Sequence, residues 1–423
     1  MRAATIRQAA ILIGGLGTRL GGLAAATPKP LLPCGDRPFL AWLLRELSRF
    51  GVEEAVLLTG HLGETVEAML PSIAAGLPKP LRIVCSREME PAGTGGALFH
   101  ARDRLAERFL LCNGDSWLDC NLARLLADAA ADAGGTIGRI VLRRLPDAAR
   151  YGVVETDGDR VTRFRERGLP GRENAINAGI CVFDRRVLDH VAPSCSLERD
   201  VMPALAAQGA LRATAADGYF IDIGVPADLA RAGGEVPRRI KQRRALFLDR
   251  DGVINIDRGW VGTRERFAFM PGALRAIRQA VDSGWHVFVV TNQSGIARGL
   301  YDEAQFAALC DWMVDEIRGA GGTIDDLRYC PFHPEAPSPA YRRASDWRKP
   351  APGMLLDLLA CWQLDPSRCI MIGDQPSDLA AAAAAGMPAH MFQGGDLAEF
   401  VAPLLTCGSK AELGPHALTR PAG

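Results

Sequence analysis

Two short apolar runs, one in each half of the chain, lead directly into clusters of glycine, aspartate and lysine of the kind that handle phosphate. Residues 9–13 run into a glycine-rich turn, and a Pro-Lys-Pro segment follows at residues 28–30. Residues 245–248 run into an Asp-x-Asp pair. Ligands of open α/β sheets bind where strands end, so each run predicts a strand that delivers its own site. Because the two clusters are unrelated and lie in separate halves, we expect two α/β domains.

The size and charge of the chain limit its class and its partners. Its 423 residues exceed one ordinary domain, and 48% of them are hydrophobic, as in a folded globular protein. With 49 basic and 49 acidic residues the formal net charge is zero, which argues against nucleic acid and membrane surfaces as partners. No run approaches the roughly 18 apolar residues of a membrane span, and no signal-peptide pattern is found. The 11 cysteines include no Cys-x-x-Cys pair, which favours reduced thiols and a cytoplasmic location.

Alternating strand and helix patterns divide the chain. In the first half, apolar runs predict strands at 9–13, 55–58, 82–85, 109–112 and 139–142, with helices at 39–50 and 65–70. Short strands with polar turns at 151–183 predict a β-rich addition over the open edge of that sheet. A second alternation predicts strands at 245–248, 286–290 and 369–372, with helices at 273–282, 303–318 and 354–361. We therefore expect a first domain at 1–235, a solvated basic linker at 236–243, a second domain at 244–407 and a flexible tail at 408–423.

The first cluster has the groups needed to hold a triphosphate. Glycines let backbone N–H groups point at an anion, a threonine adds a hydroxyl donor, and arginine and lysine add positive charge. These residues are Gly14, Gly15, Gly17, Thr18, Arg19 and Lys29. A glycine-rich turn alone is a weak signal, but in combination with the arginine and the Pro-Lys-Pro segment it predicts a nucleotide site from which pyrophosphate leaves.

Residues further along complete this first site. Gly93, Thr94 and Gly95 belong to a second glycine-rich turn, which we expect to approach a base or a ribose. Asp115 and Asp222 each follow an apolar run, and carboxylates at strand ends can hold Mg²⁺ against phosphate oxygens. Asp222 is the less specific of the two, because a lone aspartate near a strand end is often a cap. The spacing of residues 93–96 does not separate guanine from adenine.

With these residues in place, the first half resembles the sugar-1-phosphate nucleotidyltransferases, and among them the D-glycero-α-D-manno-heptose 1-phosphate guanylyltransferases. The resemblance covers residues 9–232 and rests on motifs at 14–20, 28–31, 37–40, 93–96, 113–116, 150–154, 177–179, 196–200 and 218–224. It implies a Rossmann-like, GT-A-like fold with GTP and a heptose phosphate as substrates. It also implies that Arg19 and Lys29 stabilise the phosphates while Asp115 and Asp222 hold Mg²⁺.

The same resemblance implies that Glu166 and Asn177 contact the sugar. Two positions depart from the family pattern: Ile13 stands where relatives commonly have alanine, and Arg167 stands where many have lysine. The second departure bears on the contact with the sugar phosphate.

The second cluster has the groups of a phosphatase with a covalent intermediate. Asp249 can attack phosphorus, and Asp251, two residues on, can protonate the leaving alkoxide and then activate water. Their mutual repulsion calls for a cation, and Asp374 at the end of a predicted strand completes a Mg²⁺ site with Asp249 and Asp251. Lys349 can neutralise the phosphoryl oxygens. Thr291 or Asn292 can donate hydrogen bonds to them.

The order of these elements resembles the haloacid dehalogenase phosphatases, and more closely the D-glycero-D-manno-heptose 1,7-bisphosphate 7-phosphatases and their relatives that act on histidinol phosphate. The resemblance covers residues 243–395, with motifs at 249–255, 291–299, 348–350 and 373–374. It implies a Rossmannoid fold, Asp249 as nucleophile and Asp251 as acid and base. It also places the following residues among the substrate and phosphate contacts: Thr291, Asn292, Gln293, Arg298, Arg348 and Lys349.

One departure concerns zinc. Relatives often carry a zinc loop with Cys-x-His and Cys-x-Cys, whereas here Cys330 stands alone and His333 is offset by one position. A tetrahedral zinc site needs four ligands, so we predict no structural zinc and expect Phe332 and Trp347 to pack the loop instead.

Together these features favour a bifunctional enzyme that uses Mg²⁺ at both sites, removes the 7-phosphate of a heptose bisphosphate and attaches GMP at C1. One alternative keeps both chemistries but changes the sugar to mannose, the base to adenine, or the phosphatase substrate to histidinol phosphate. Another is a regulatory nucleotide-binding module fused to a phosphatase, which the presence of Arg19, Lys29, Asp115 and Asp222 argues against. The predicted partners are small molecules only, and a homo-oligomer stays open.

Overall fold

The computed structural model describes residues 6–15, 20–21, 26–166 and 173–406. The chain divides into two compact units: the first contains the described residues up to Arg243 together with Cys361–Gln363, and the second contains the other described residues from Arg244 on. Within the described ranges, no helix is both long enough and apolar enough to cross a membrane. Gly17, Thr18, Arg19, Arg167 and the predicted tail at 408–423 lie outside the described residues.

The first unit alternates strands and helices along the chain. Its strands are β1 (Gln8–Leu12), β2 (Pro33–Cys34), β3 (Arg37–Pro38), β4 (Glu54–Thr59), β5 (Arg82–Arg87), β6 (Arg108–Asn113), β7 (Ser116–Leu118), β8 (Gly138–Leu145), β9 (Val153–Asp157), β10 (Arg160–Arg165), β11 (Asn174–Asp184), β12 (Leu211–Ala215) and β13 (Phe220–Asp222). Its helices are α1 (Phe39–Arg49), α2 (Gly63–Ala75), α3 (Gly93–Ala101), α4 (Leu122–Ala131), α5 (Met202–Ala207) and α6 (Pro226–Lys241).

One large sheet organises this unit. Its nine strands follow the order β5-β4-β1-β6-β11-β8-β12-β10-β9. β5, β4, β1 and β6 run parallel, whereas β11 is antiparallel to β6 and β8. Of the short strands predicted at 151–183, β9 and β10 lie at one edge of the sheet, whereas β11 lies inside it between β6 and β8. The prediction that this whole region covers the open edge is therefore wrong for β11, whose long buried run pairs on both sides. Parallel pairing brings the carboxyl ends of β1 and β6 together, where Leu12 is level with Asn113. This edge therefore joins the glycine-rich turn to Asp115.

A separate two-stranded sheet delivers the second predicted carboxylate of the unit. In it β13 pairs antiparallel with β7, so that Asp222 is level with Ser116, the residue after Asp115. Ile221 and Ile223 on either side of Asp222 are buried in a core cluster with Trp42 and Trp117. This packing fixes the strand that carries Asp222.

The predicted linker at 236–243 is wrong for residues 236–241, which form the last turns of α6. Ala232, Val236 and Ile240 recur every four residues, so they share one helix face, and all three are buried in the core cluster of Trp42. The basic residues, such as Arg238, lie on the exposed face. Pro237 and the basic run favour a loop, but burial of the apolar stripe stabilises the helix instead.

The second unit is a parallel α/β sheet. Its strands are β14 (Ala245–Leu248), β15 (His286–Asn292), β16 (Asp326–Cys330), β17 (Cys369–Gly373) and β18 (Ala389–Met391), in the order β16-β15-β14-β17-β18. Its helices are α7 (Ala273–Asp282), α8 (Ser294–Ala297), α9 (Glu303–Gly319), α10 (Gly353–Trp362), α11 (Pro376–Ala384) and α12 (Leu397–Thr406). All adjacent strands pair in parallel, and β14 is buried throughout, as expected for a central strand. The ends of β14, β15 and β17 therefore meet at one edge.

Candidate active sites

In the first unit, Lys29 lies between the two predicted metal ligands. Its Nζ is 2.5 Å from Oδ2 of Asp115 and 3.7 Å from Oδ1 of Asp222. Lys29 stands in a short 3-10 turn, Lys29–Leu31, and is only 9% exposed. Asp222 is also fastened locally, because its Oδ1 accepts a hydrogen bond from the backbone N of Gly224 at 2.7 Å. The structure thus brings Lys29, Asp115 and Asp222 together, although Lys29 and Asp222 are more than 190 positions apart in the sequence.

The residues of this group fit a divalent cation. Two carboxylates face a single ammonium, and Mg²⁺ prefers a few carboxylate oxygens together with phosphate oxygens. The group would therefore hold Mg²⁺ through Asp115 and Asp222, and Lys29 would then be available to phosphate.

A cavity of about 320 Å³ opens beside this group. Gly14 and Gly15 border it after β1, Asp115 borders it after β6, and Leu12, Leu58 and Ala97 supply apolar walls. A second cavity of about 370 Å³ is bordered by Asp222 together with Arg150, Tyr151 and Asp228. The Arg150 guanidinium there is paired with Asp228 at 2.9 Å. Asp115 thus borders one cavity and Asp222 the other.

The predicted turn at Gly93–Gly95 is instead the first turn of α3. The backbone N of Gly95 donates to the carbonyl O of Cys195 at 3.0 Å, so it is not directed at a ligand. A Cβ on Gly95 would lie 2.5 Å from Sγ of Cys195, and one on Gly93 would lie 2.5 Å from its carbonyl O. These glycines allow close packing of the segment around Cys195. Gly93 and Thr94 still border the cavity, and the Thr94 hydroxyl donates to Glu198 at 2.7 Å.

The two predicted sugar contacts do not join this cavity. Asn177 lies on β11 and makes local contacts: its Oδ1 accepts from the backbone N of Gly179 at 3.1 Å, and its Nδ2 lies 3.7 Å from Sδ of Met202. Glu166 is exposed and stands next to the range 167–172, which the structure does not describe. A contact of either residue with a sugar stays a prediction.

In the second unit, a buried lysine joins two carboxylates. Nζ of Lys349 lies 2.9 Å from Oδ1 of Asp249 and 2.6 Å from Oδ1 of Asp378, and it donates to the carbonyl O of Val290 at 2.9 Å. Burial raises the pKa of Asp249 to about 7, although the charge of Lys349 opposes the rise. Burial would lower the pKa of Lys349, but the carboxylates of Asp249 and Asp378 outweigh it and raise that pKa. The site is thus strongly polar and largely shielded from water.

Asp249, Asp374 and Asp378 form a group that could hold a metal ion, with their ligand atoms within 4.8 Å of one another. Oδ1 of Asp374 is buried and has no hydrogen-bond partner among the described residues, and burial raises the pKa of this carboxyl. Side chains at Gly252 and Gly373 would collide with Asp374 and Asp378 respectively, so both glycines make room for the carboxylates. Three carboxylates with an unsatisfied oxygen fit Mg²⁺.

Asp251 is not in this metal-ligand group. Its carboxylate accepts hydrogen bonds from Nη2 of Arg250 at 2.8 and 2.9 Å, from Nδ2 of Asn255 at 2.9 Å and from Nε2 of Gln293 at 3.0 Å. Arg250 is itself completely buried. Asp251 is therefore held in a fixed orientation, apart from the three carboxylates, as suits an acid and base better than a metal ligand.

Thr291 and Asn292, which end β15, and Gln293, which follows it, support the site. Gln293 is 1% exposed; its Nε2 also donates to Thr291 Oγ1 at 2.8 Å, and its Oε1 accepts from the Tyr301 hydroxyl at 2.6 Å. Asn292 exchanges two hydrogen bonds with the backbone of Lys349, at 3.0 and 3.1 Å. These contacts occupy the side-chain polar atoms of Asn292 and Gln293 that we expected to face substrate. The two residues therefore position Lys349 and Asp251.

Two predicted arginine contacts lie at the rim of the second unit. Nη1 of Arg348 donates to the carbonyl O of Phe332 at 3.3 Å, and the Arg298 guanidinium lies over the exposed ring of Trp260 at 5.5 Å. Burial, together with the nearby charge of Arg298, lowers the pKa of Arg348. A contact of either arginine with substrate stays a prediction.

The loop in which relatives carry zinc is packed by aromatic and cationic groups. The Phe332 ring lies 6.1 Å from that of Tyr341, and the Arg343 guanidinium covers it at 3.7 Å. Sγ of Cys330 donates to the carbonyl O of Phe332, and Nδ1 of His333 accepts from the backbone N of Glu335. The lack of structural zinc stays a prediction.

Asp378, Tyr301 and Glu88 were missed by sequence reading. Asp378 caps the start of α11, where its Oδ2 accepts from the backbone N of Gln375 at 3.0 Å. Its position four residues after Asp374, one helical turn beyond a strand end, was the available signal. Tyr301 and Glu88 lie in or next to loops, and only the tertiary fold brings them to their sites.

Comparison with known proteins finds relatives for both halves of the chain. Residues 8–238 match the nucleotidyl transferase family model and residues 346–398 match a HAD-hydrolase-like model. The second unit is 51% identical over 164 residues to the D-glycero-beta-D-manno-heptose-1,7-bisphosphate 7-phosphatase of Rhodopseudomonas palustris, covering 39% of this chain and 91% of that protein. The phosphatase of the same name from Photorhabdus laumondii is 45% identical over 138 residues, covering 33% of this chain and 73% of that protein.

Among solved structures, HddC from Yersinia pseudotuberculosis aligns with 28% identity and a TM-score of 0.48, covering 54% of this chain and 98% of HddC. The chain belongs to the nucleotidyl transferase family through its first unit and, through its second, to the HAD-type family of the heptose bisphosphate phosphatases. The predicted α/β fold class and the prediction of two enzymatic units are confirmed.

Proposed function

We propose that this chain is a bifunctional enzyme of activated-heptose synthesis. The second unit removes the 7-phosphate of D-glycero-D-manno-heptose 1,7-bisphosphate, and the first unit joins GMP from GTP to the resulting heptose 1-phosphate, with release of pyrophosphate. Support comes from the names of the phosphatase relatives and from the motifs of the first half. Both steps use small, soluble metabolites, so we place the enzyme in the cytoplasm and leave a homo-oligomer open.

The phosphatase step follows from the residues around Asp249. One Asp249 oxygen attacks phosphorus, the bond from phosphorus to the sugar oxygen breaks, and Asp251 gives that oxygen its proton. Asp251 then takes a proton from water, which attacks the aspartyl phosphate and releases phosphate and the free Asp249 carboxylate. Lys349 neutralises charge throughout, because its Nζ lies 2.9 Å from Asp249. Mg²⁺ held by Asp249, Asp374 and Asp378 would further offset the charge of carboxylates and phosphoryl oxygens.

The transferase step needs positioning and charge rather than a covalent intermediate. A phosphate oxygen of the sugar phosphate attacks the α-phosphorus of the nucleotide in line with the departing pyrophosphate. Lys29, 9% exposed between Asp115 and Asp222, supplies positive charge at this point. Bound Mg²⁺ would screen the phosphate oxygens from the two carboxylates.

The observation that carries the proposal is the buried contact of Lys349 with both Asp249 and Asp378 beside Asp374. This arrangement has the nucleophile, the neutralising cation and a cation site within one small volume. It fits the catalytic needs of a phosphatase with an aspartyl-phosphate intermediate.

The anomer links the two steps. The names of the phosphatase relatives specify the β-anomer of the bisphosphate, whereas the resemblance of the first half implies an α-1-phosphate. The steps are consecutive only if both units accept the same anomer.

A substrate screen tests the proposal. The full chain with Mg²⁺ is given GTP, ATP or UTP together with each anomer of heptose 1-phosphate or with mannose 1-phosphate, and pyrophosphate release and product mass are measured. Phosphate release is measured separately with each anomer of heptose 1,7-bisphosphate and with histidinol phosphate. We expect GDP-heptose and rapid loss of the 7-phosphate. Preference for mannose 1-phosphate or for histidinol phosphate would replace the heptose assignment.

A further inference from the structure

One carboxylate of the second unit accepts hydrogen bonds from tyrosines of two different segments. Oε2 of Glu303 accepts from the Tyr329 hydroxyl at 2.8 Å, and its Oε1 accepts from the Tyr341 hydroxyl at 2.8 Å. Tyr329 lies on β16, whereas Tyr341 lies in the loop at 331–348, which follows β16 and ends at Arg348. Glu303 therefore ties this loop both to the strand before it and to α9.

The start of α9 fixes the position of Glu303. Glu303 is the first residue of the helix, and Asp302 before it is the cap, because its Oδ1 accepts from the backbone N of Gln305 at 2.7 Å. The Gln305 side chain in turn accepts from the backbone N of Asp302 at 2.9 Å. This capping box orders the first turn, where a negative charge is also favourable. Although Glu303 is exposed, its carboxylate is thus held from the helix side.

Tyr341 connects the two ends of the loop. Its carbonyl O accepts from the backbone N of His333 at 3.1 Å, and its ring lies 6.1 Å from the ring of Phe332. The Tyr341 ring also packs against the core cluster that contains Ile296 and Phe306. The segment of Phe332 and His333 is therefore held in place through Tyr341.

This segment in turn holds the guanidinium of Arg348, whose Nη1 donates to the carbonyl O of Phe332 at 3.3 Å. The next residue, Lys349, is anchored in another way. Its backbone exchanges two hydrogen bonds with Asn292, and its Nζ is paired with Asp249. A change in the loop should therefore displace Arg348 and leave Lys349 in place.

The residues of this loop do not fit the zinc that relatives often carry here. A structural zinc site needs four ligands. Among the described residues, the one group of three or more potential metal-ligating side chains is that of Asp249, so Cys330 and His333 do not belong to a second group. Nδ1 of His333 instead accepts from the backbone N of Glu335 at 3.1 Å. In this part of the chain, hydrogen bonds and ring packing hold the loop.

We propose that Glu303 is a positioning residue of the phosphatase site, which sets the place of Arg348 by fastening the loop at 331–348 through Tyr329 and Tyr341. An ionised carboxylate can accept two hydroxyl donors at once, and hydrogen bonds to a charged group are stronger than those between neutral groups. The contact fastens the loop without a metal ion. The effect on catalysis rests on the proposed function, in which Arg348 contacts substrate, whereas the fastening of the loop does not.

Kinetics with heptose 1,7-bisphosphate should show the effect in KM. Wild type, Glu303→Ala, Glu303→Gln and Glu335→Ala are compared in the presence of Mg²⁺. Glu303→Ala should raise KM by about three- to tenfold and keep kcat within about twofold, because Lys349 retains its own anchors. Glu303→Gln should keep KM within about twofold, since an amide can accept from one hydroxyl and donate to the other. Glu335→Ala removes an exposed carboxylate of the same loop and should behave as wild type.

A double substitution tests whether Arg348 is the group that moves. In an Arg348→Ala background, Glu303→Ala should change KM by less than about twofold, because the guanidinium to be positioned is gone. Tyr341→Phe removes one of the two hydrogen bonds and should likewise act on KM and leave kcat unchanged. A loss in kcat with unchanged KM in Glu303→Ala, or fully additive effects of the two alanine substitutions, would overturn the assignment.

Hydrogen exchange tests the fastening of the loop without any substrate. The backbone N of His333 donates to Tyr341 and that of Arg348 donates to Ser345 at 3.1 Å, so both amides report the order of the loop. Mass spectrometry of the full chain should show exchange at 331–348 about tenfold faster or more in Glu303→Ala, and unchanged exchange in Glu335→Ala. Treatment of wild type with the zinc chelator 1,10-phenanthroline should leave exchange unchanged. Unchanged exchange in Glu303→Ala, or faster exchange in wild type after the chelator, would overturn the inference.

The two measurements also separate this inference from the proposed function. If wild type does not hydrolyse heptose 1,7-bisphosphate, the proposed substrate is wrong. Faster exchange in Glu303→Ala would then still support the fastening of the loop and of Arg348 by Glu303, and unchanged exchange would contradict it.

Discussion

Nζ of Lys349 lies 2.9 Å from Oδ1 of Asp249, and both side chains are buried in the second unit. Removing only one member of a buried ion pair leaves an uncompensated charge, which costs about 3–5 kcal/mol of stability. In this site the uncompensated charges would be those of Asp249 and Asp378.

Lys349→Met should therefore lower both the stability of the second unit and its phosphatase activity. It should lower the free energy of unfolding of the second unit by about 3–5 kcal/mol in EDTA, measured by urea denaturation. It should also reduce phosphate release by about 100-fold or more, because the phosphoryl charge loses its neutralising partner. Lys241→Met, at an exposed lysine of the first unit, is the control and should change neither. Wild-type phosphatase activity in Lys349→Met would show that the lysine is not part of the site.

The affinity for Mg²⁺ should depend on pH through Asp249. Burial raises the pKa of this carboxyl to about 7, so it is protonated below that pH and ionised above it, and only the ionised form can bind a cation. The affinity should be full above pH 7 and fall by about tenfold for each pH unit below it. Calorimetric titration with Mg²⁺ between pH 5.5 and 8.5, in buffers near these values, measures this. An affinity that does not change with pH would contradict a raised pKa at Asp249, and Asp249→Asn should flatten the dependence.

We expect Tyr301 to affect the phosphatase reaction only by positioning Gln293. Its hydroxyl donates to Gln293 Oε1 at 2.6 Å, and Gln293 Nε2 in turn donates to Asp251 at 3.0 Å. Tyr301→Phe should lower kcat for phosphate release by about three- to tenfold without raising KM, because Gln293 would be held less firmly against Asp251. Tyr341→Phe, which removes a hydroxyl bonded to Glu303 on the surface, is the matched control. An unchanged kcat in Tyr301→Phe, or a loss that appears mainly in KM, would leave Tyr301 with a structural role only.

The end of α6 should contribute to stability as a helix. Ile240 is 1% exposed in the core cluster of Trp42, so Ile240→Ala should cost about 2–5 kcal/mol. Arg238→Ala, on the exposed face of the same turn, should change stability by less than about 0.5 kcal/mol. Chemical denaturation of the two variants distinguishes a packed helix from a solvated linker, for which both substitutions would be equally harmless.

Much of the fold was predictable, because apolar runs of four to six residues are local signals. The runs before Asp115, Asp249 and Asp374 are strands in the structure. In the second unit, parallel pairing of β14 with β17 brings the ends before Asp249 and Asp374 together as expected. The direction in which a side chain points at a strand end could not be predicted from the sequence. Asn292 ends β15 and Gln293 follows it, yet their side chains hydrogen-bond to the Lys349 backbone and to Asp251 and so position these residues.

Other misses have equally physical causes. The glycines of Gly93–Gly95 suggested a ligand loop, but close packing against Cys195 requires glycine there as strongly as a ligand would. Glu88 borders the cavity of the first unit, and its position beside Gly14 and Gly60 depends on three separate segments meeting. The stripe of Ala232, Val236 and Ile240 was present in the sequence, and Pro237 concealed it.

Two separate phosphoryl centres on one chain should respond independently to single substitutions. Phosphate release from heptose 1,7-bisphosphate and pyrophosphate release from GTP with heptose 1-phosphate are measured on the same preparations of Asp249→Asn and Lys29→Met. Asp249→Asn should abolish phosphate release and leave pyrophosphate release unchanged, and Lys29→Met should do the reverse. Phosphate release that persists in Asp249→Asn, or loss of both activities in either folded variant, would contradict this assignment.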